Sequence, residues 1–321
     1  MYEVIIEEEV FMGGKREVIL VIIMFFLGSF KVFGGEVDYR GEMRRLIRHI
    51  DAQLPEEYIV IQQNAVDLYY KNGELMRDWL VGIDGISQES IYYGNPEYNS
   101  RSPQSYRNLL EKRLKEVRGE GLAVFTTNYT KTLWNSWTSD REAKKSGFIN
   151  YNVPNREVTQ INSKIPYENT EDIEELKDVK NFLYLLNPER YRSKREYIDT
   201  LAKTNFDLLV IDAFFKGKAL TEKDIERIRY KWNGGRRLVV SYLSIGEAED
   251  YRHYWKKRWN DNPPEWLGEE NPRWEGNYVV KYWHREWQEI IEGYIDRITE
   301  AGFDGVFLDT VDTYYYYINY D

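Results

Sequence analysis

The 321-residue chain has no cysteine. That excludes thiol nucleophiles, zinc ribbons, iron–sulfur clusters and a disulfide framework. Histidine is almost as scarce, at His49, His253 and His284. These three are isolated in sequence and show no metal-ligand spacing; the string Trp283–Trp287 (WHREW) opens a helix instead. No Gly-rich phosphate loop follows an apolar run, and no G-x-S-x-G elbow is present. Tandem repeats and low-complexity tracts are also missing. Positive charge is in deficit, with 54 acids against 44 bases and a net charge of −10. Nucleic acid is therefore not an expected partner, and neutral or cationic ligands suit the chain better. What the sequence has in excess is aromatic: 27 Tyr, 10 Trp and 13 Phe. That is more than a core needs, so some of these rings are expected to line a surface or cleft.

Near the N-terminus, Lys15 and Arg16 precede an apolar run, Val18–Phe30, with Gly34 and Gly35 beyond it. This is the pattern of a secretory signal, and the run is short of the roughly 20 residues of a membrane-spanning helix. An uncleaved anchor is the alternative, since no A-x-A pattern marks a cut. The acidic stretch before Met12 fits a signal poorly, which makes Met12 the expected start. The expectation is an N-terminal extension over 1–36, a single domain over 37–321, and a secreted or extracytoplasmic location. The lack of cysteine does not oppose export.

Beyond Arg40, short apolar runs alternate with stretches of helical period. The runs are 59–64, 85–91, 123–129, 147–151, 182–186, 208–212, 238–244 and 305–309. Several are apolar on both faces, as buried parallel strands are. Helical faces lie between them. Trp287, Ile290, Ile291, Tyr294, Ile295 and Ile298 form one, with Gly302 as its stop. Thr221 and Asp224 form a capping box before Ile225, Ile228 and Trp232. Met43, Leu46, Ile47, Ile50 and Leu54 form a third, and Leu109, Leu110, Leu114 and Val117 a fourth. The regular spacing predicts an α/β fold, a (β/α)8 TIM barrel, with 251–283 as an enlarged loop and 154–179 as a long polar connection. A doubly wound open sheet is the competitor.

In such a barrel, chemistry gathers at the C-terminal ends of the strands. Those ends carry Asn64, Glu89, Asn128 with Tyr129, Asn150, Asn187, Asp212, Ser244–Glu247, and Asp309 with Asp312. Asp212 reads equally well as a cap, and Glu247, Glu249 and Asp250 as a solvated acidic turn. Asp309 and Glu89 are harder to explain by structure alone, because each ends an apolar run where a buried charge needs a reason. A carboxylate pair amid aromatics and amides, with no metal ligands nearby, suits glycosidic bond cleavage without a cofactor. Aromatics cluster after strand ends as sugar stacking requires: Tyr92, Tyr93, Tyr129, Trp134, Tyr314–Tyr317, and seven of the ten tryptophans between Trp232 and Trp287. A non-catalytic carbohydrate-binding barrel is the rival reading.

The segments LLVIDA, VVSYLSIGEAEDYR, GFDGVFLDTVD, IVIQQNA and DGISQESI resemble the secreted (β/α)8 glycosidases related to endo-α-1,4-polygalactosaminidase, glycoside hydrolase family 114. The resemblance runs from about Met43 to Tyr317. It implies a retaining pair, with Asp309 as nucleophile and Glu89 as general acid/base. It places Asp212, Tyr242, Glu247 and Asp312 at positions expected to line the sugar subsite and Asn64 where the family has an Asn after its fifth strand; Tyr129 and Trp283 are the aromatic candidates for substrate binding from the clustering of rings. The implied substrate is a polysaccharide or oligosaccharide, an α-1,4-linked galactosamine polymer in the family's case, and no metal or other cofactor. The order of the parts differs from the family's. There the barrel would begin at Phe182, Asp309 would end the fourth strand and Glu89 the sixth. The sequence thus reads as circularly permuted between the family's fourth and fifth strands. An exchange of half-barrels between protomers, or an out-of-order sequence, would give the same pattern. Permutation requires Tyr314–Asp321 to lie beside Val37–Met43.

Overall fold

The computed structural model describes residues 37–153, 155–162 and 164–320. The signal-like segment 18–30 lies outside them. Among the described residues no helix is long and apolar enough to cross a membrane.

Eight parallel strands form one sheet: β1 (Ile59–Gln63), β2 (Gly85–Glu89), β3 (Ala123–Tyr129), β4 (Ile149–Val153), β5 (Phe182–Leu185), β6 (Leu208–Asp212), β7 (Leu238–Ser244) and β8 (Gly305–Asp309). Their order is β4-β3-β2-β1-β8-β7-β6-β5. Strands consecutive in the chain are neighbours in space, and the last pairs with the first. A doubly wound sheet would instead reverse its order at the centre. The fold is therefore a (β/α)8 barrel. Strands β1, β2 and β5 to β7 are buried at every position; β1 and β5 to β7 are accordingly largely apolar on both faces rather than alternating, while β2 (GISQE) buries polar side chains. Between β4 and β5 the described residues show no backbone ladder; the gap is packed by the rings of Tyr151 and Phe182, 5.6 Å apart. The long connection contributes Leu176, whose Cδ2 would lie 3.1 Å from any Cβ added to Gly85 at the start of β2.

Among the described residues seven α-helices accompany the strands: α1 (Tyr39–Gln53), α2 (Gln104–Gly119), α3 (Leu133–Ser146), α4 (Lys194–Leu201), α5 (Glu222–Ile228), α6 (Arg285–Glu300) and α7 (Tyr314–Tyr320). Helix α6 buries Trp287, Ile291, Tyr294, Ile295 and Ile298 and is followed by Gly302 in the left-handed region. The capping box at the start of α5 is present, with the Thr221 amide 2.9 Å from Asp224 Oδ2. Trp232, expected on the inner face of α5, is instead 69% exposed. The helix stops at Ile228 because Lys231 is drawn into a fully buried pair with Asp207, 2.9 Å away, and the chain must turn to deliver it. The fourth strand is also displaced from the expected 147–151. Gly147 (φ +75°) caps α3 and the Phe148 amide returns to the Ala143 carbonyl, so the ladder starts only at Ile149. The enlarged loop after β7 folds into a three-stranded antiparallel sheet of Glu247–Glu249, Asn277–Val280 and Leu267–Glu270.

The barrel closes where the two ends of the described chain meet. β8 pairs with β1 from Gly305 opposite Ile59 to Leu308 opposite Gln62. A Cβ on Gly305 would sit 2.1 Å from the Ile59 carbonyl oxygen, so this close pairing requires glycine. Outside the strands, Tyr39 of α1 stacks on Tyr317 of α7 at 5.3 Å. Arg40 Nη1 binds Asp67 Oδ2 at 2.7 Å, and the same carboxylate accepts from the Tyr314 and Tyr315 hydroxyls. Helices α1 and α7 are thus held together without a covalent link.

Candidate active site

Three adjacent strands, β2, β1 and β8, deliver the central groups to one rim. Glu89 ends β2 and Asp309 ends β8, with β1 between them; Gln62 of β1 pairs with Leu308 and Gln63 with Ser87, so Glu89 stands two residues beyond the level of Asp309 and their Cα atoms are farther apart than two strand spacings of about 4.8 Å each. From these positions both side chains reach the same opening. Each of the three strands leaves the sheet through non-glycine residues with positive φ: Asn64 (+58°) and Ala65 (+53°) after β1, Ser90 (+55°) after β2, and Thr310 (+58°) after β8. Left-handed backbone is disfavoured for such residues, for β-branched threonine most of all, and clusters where surrounding contacts fix a functional geometry.

Those contacts can be named. Asn64 Oδ1 accepts from the Glu89 backbone amide and from Gln88 Nε2, both at 3.0 Å, which fixes the end of β2. The Glu89 side chain, only 8% exposed, accepts from the Tyr129 hydroxyl at the end of β3, 2.6 Å from Oε1. Beyond Asp309, the left-handed turn at Thr310 aims its own amide at Asp309 Oδ1, 2.7 Å away. The Thr310 hydroxyl is held in turn by Ser244 Oγ at 2.9 Å and the Gly246 amide at 2.8 Å.

The two carboxyls lie within each other's field. Burial, and then the charge of Glu89, push Asp309 up to about 8. Burial also raises Glu89, while the Tyr129 hydroxyl pulls it the other way. Two buried carboxyls in one field oppose each other's ionisation and titrate as a pair. Burial raises Asp312 and Glu247 as well. Tyr184 on β5 and Tyr242 on β7 are kept neutral by burial and by the Asp309 charge. The centre is thus acidic, aromatic and largely dry.

The remaining expected residues fall into separate environments. Both oxygens of Asp212 are engaged, one by the Phe214 amide at 2.7 Å and the other by Arg252 Nη1 at 2.6 Å. Arg252 also binds Glu249 Oε2, making a buried bridge between two carboxylates. Glu247 is 2% exposed and accepts from Asn271 and Asn277 of the loop sheet. Asp312 is buried in the turn leading into α7. Trp283 packs on Tyr39 and Tyr317, 5.2 and 4.7 Å away, in the junction of α1 and α7. Sequence reasoning did not find Arg252, Tyr184, Thr310, Asn271 or Asn277. The only available signal was that the strand-end carboxylates needed buried partners. Among the described residues no group of three or more His, Asp or Glu side chains is arranged to hold a metal ion.

Residues 162–320 match the model of glycoside-hydrolase family GH114. The matched span runs from before β5 to α7 and includes Asp309; Glu89 precedes it. An uncharacterized protein of Methanocaldococcus jannaschii is 48% identical over 130 residues, 40% of this chain and 36% of that protein. One of Thermotoga maritima is 45% identical over 117 residues, 36% of each chain. The chain thus spans about a third of the length of these curated relatives. Among solved structures, that of Aspergillus fumigatus Ega3 in complex with galactosamine is 20% identical, covers 49% of this chain and 50% of its own, and has a TM-score of 0.27.

Proposed function

We propose that this barrel is a retaining glycoside hydrolase that cleaves a polysaccharide with Asp309 and Glu89 and no cofactor. The observation that carries the proposal is the pair itself: two buried carboxyls at the ends of the strands that flank β1, both raised by burial, with the charge of Glu89 raising Asp309 further. In this reading ionised Asp309 attacks the anomeric carbon while Glu89 donates its proton to the departing oxygen. Glu89, now ionised, then takes a proton from the water that releases the sugar from Asp309. Positive charge developing on the sugar ring beside Asp309 lowers its proton affinity and favours the ionised form that attack requires. Tyr184, Tyr242 and Tyr129 supply aromatic walls, and the likeness of the C-terminal half to a glycoside-hydrolase family supports the reaction class.

The acidic centre of Glu89, Asp309, Asp312 and Glu247 favours a cationic ring, which supports a galactosamine polymer as substrate. Export on segment 18–30 would bring the enzyme to such a polymer. Circular permutation is the proposed origin of the strand order, supported by the noncovalent junction of α1 with α7 and by a family match confined to the C-terminal half.

The test is a screen of amino-sugar and neutral polysaccharides with wild type, Asp309→Asn and Glu89→Gln. Wild type is expected to release sugar with retained anomeric configuration by NMR, and both variants to lose at least a thousandfold in rate. Undiminished release by the variants removes the site assignment, and inverted product removes the retaining mechanism. Polymer binding with no cleavage by wild type would make the chain a carbohydrate-binding barrel.

A further inference from the structure

The first turns of α3 carry an apolar surface with no core to cover. Leu133 is 92% exposed, Trp134 69% and Trp137 49%. Trp134 and Trp137, three residues apart on the helix, place their ring centroids 5.2 Å apart at a tilt of 34°, so the two rings lean on one another and form a single exposed aromatic platform. The platform is preorganised. The Arg141 guanidinium lies 4.9 Å from the Trp137 ring centre, and Thr132 caps the helix through the Asn135 amide. Exposure of three large apolar side chains together is costly in an isolated surface and marks a place where something binds.

Its position says what. Helix α3 follows β3, so its N-terminal turns lie on the face of the barrel that carries the strand ends. Five residues separate Trp134 from Tyr129, which touches Glu89, a reach of at most about 17 Å. The intervening surface is polar and continuous. Asn99, in the loop after β2, accepts from the Lys131 amide and the Asn135 side chain through Oδ1, and its own amide donates to the Tyr129 carbonyl. The β2 loop and the start of α3 thus form one shelf leading from Glu89 to the tryptophans.

We infer that Trp134 and Trp137 form an outlying subsite on which uncharged pyranose rings of the polymer stack as the chain leaves the cleft. Planar aromatic faces match the apolar faces of sugar rings, and the amides of the shelf serve their hydroxyls. The exposed charged residues flanking the pair along the chain, Lys131 and Arg141, are both cationic. They disfavour a free-amine ring here, although the catalytic centre is acidic. The platform therefore selects neutral rings, such as N-acetylated amino sugars. A second copy of the chain is a poorer occupant, because three side chains fall well short of the roughly 1,000 Å² that a stable interface needs.

The inference rests on the carbohydrate reading above but is tested without catalysis. In an Asp309→Asn background, affinity electrophoresis through gels containing N-acetylated or de-N-acetylated polygalactosamine measures binding directly. Trp134→Ala combined with Trp137→Ala is expected to weaken retardation by the N-acetylated polymer about tenfold. Trp232→Ala, which removes a tryptophan as exposed as Trp134 from the turn beyond α5, is the control and is expected to change nothing. Unchanged retardation in the double variant overturns the subsite. So does a wild-type dimer that the double variant converts to monomer in sedimentation. Loss of binding in the double variant, with no hydrolysis by wild type, would leave the subsite standing and remove the hydrolase reading.

Discussion

The Tyr129 hydroxyl donates to Glu89 Oε1 over 2.6 Å, joining the last residues of two adjacent strands. This bond favours ionised Glu89 and so opposes the upward push of burial. Tyr129→Phe removes it, and the proton affinity of Glu89 rises. A hydrogen bond to a charged group is worth about 1.5–3 kcal/mol, or roughly one to two pH units. The alkaline limb of the rate profile, set by loss of the acid's proton, is expected to move up by about one unit while kcat falls. A profile with an unmoved alkaline limb would show that Tyr129 only fills space.

Asp309 depends on the turn that follows it. Gly246 approaches this turn so closely that a Cβ would meet the Thr310 carbonyl oxygen at 2.2 Å and Thr313 Oγ1 at 2.3 Å. Gly246→Ala must displace Thr310, whose amide orients Asp309. Displacement of a reacting group by about 1 Å costs on the order of 100-fold in rate. Steady-state kinetics should show that loss in kcat with KM little altered; a wild-type kcat would sink the positioning role of the turn.

The raised proton affinity of Asp309 also makes a stability statement. Its carboxyl ionises near pH 3.9 in the unfolded chain and at about 8 in the folded one. The folded state therefore gains from the proton below about pH 4 and loses that gain progressively as pH rises through about 8. Asp309→Asn removes the cost of the buried charge. The variant should melt several degrees above wild type at pH 8.5, with a much smaller difference at pH 4.5. Equal differences at the two pH values would contradict the titration.

Arg252 joins Asp212 and Glu249 in a buried bridge. Arg252→Met leaves two carboxylates without their cation and should destabilise the fold by about 3–5 kcal/mol in denaturant titration. Adding Asp212→Asn and Glu249→Gln should recover most of that loss. If the triple variant is no more stable than Arg252→Met, the cost lies in packing rather than charge.

The eight strands were legible because buried parallel strands are apolar on both faces, and the ends of β2 and β8 stood out because a carboxylate after such a run needs a purpose. Local backbone chemistry was harder to see. Gly147 sits in an apolar run yet serves as a helix cap, and Trp232 keeps helical spacing past a helix that a buried Lys231 ends early. Side-chain partners from distant elements were not legible. Arg252 meets Asp212 across 40 positions of sequence, and Trp283 goes to Tyr39 and Tyr317 because the two ends of the barrel meet there. Neither pairing leaves a periodic trace.

The junction between β1 and β8 divides the proposed chemistry between two halves of the molecule. Strands β1–β4 bring Glu89 and its partners Asn64 and Tyr129; strands β5–β8 bring Asp309 with Ser244, Gly246 and Thr310. Neither half holds a complete acid–nucleophile pair. On the proposed mechanism a half-folded chain would be chemically silent, and hydrolysis would report whether the barrel has closed. Loosening of that junction, whether by loss of the Gly305 contact or of the Arg40–Asp67 pair, would extinguish turnover before the helices or the bulk of the sheet had melted.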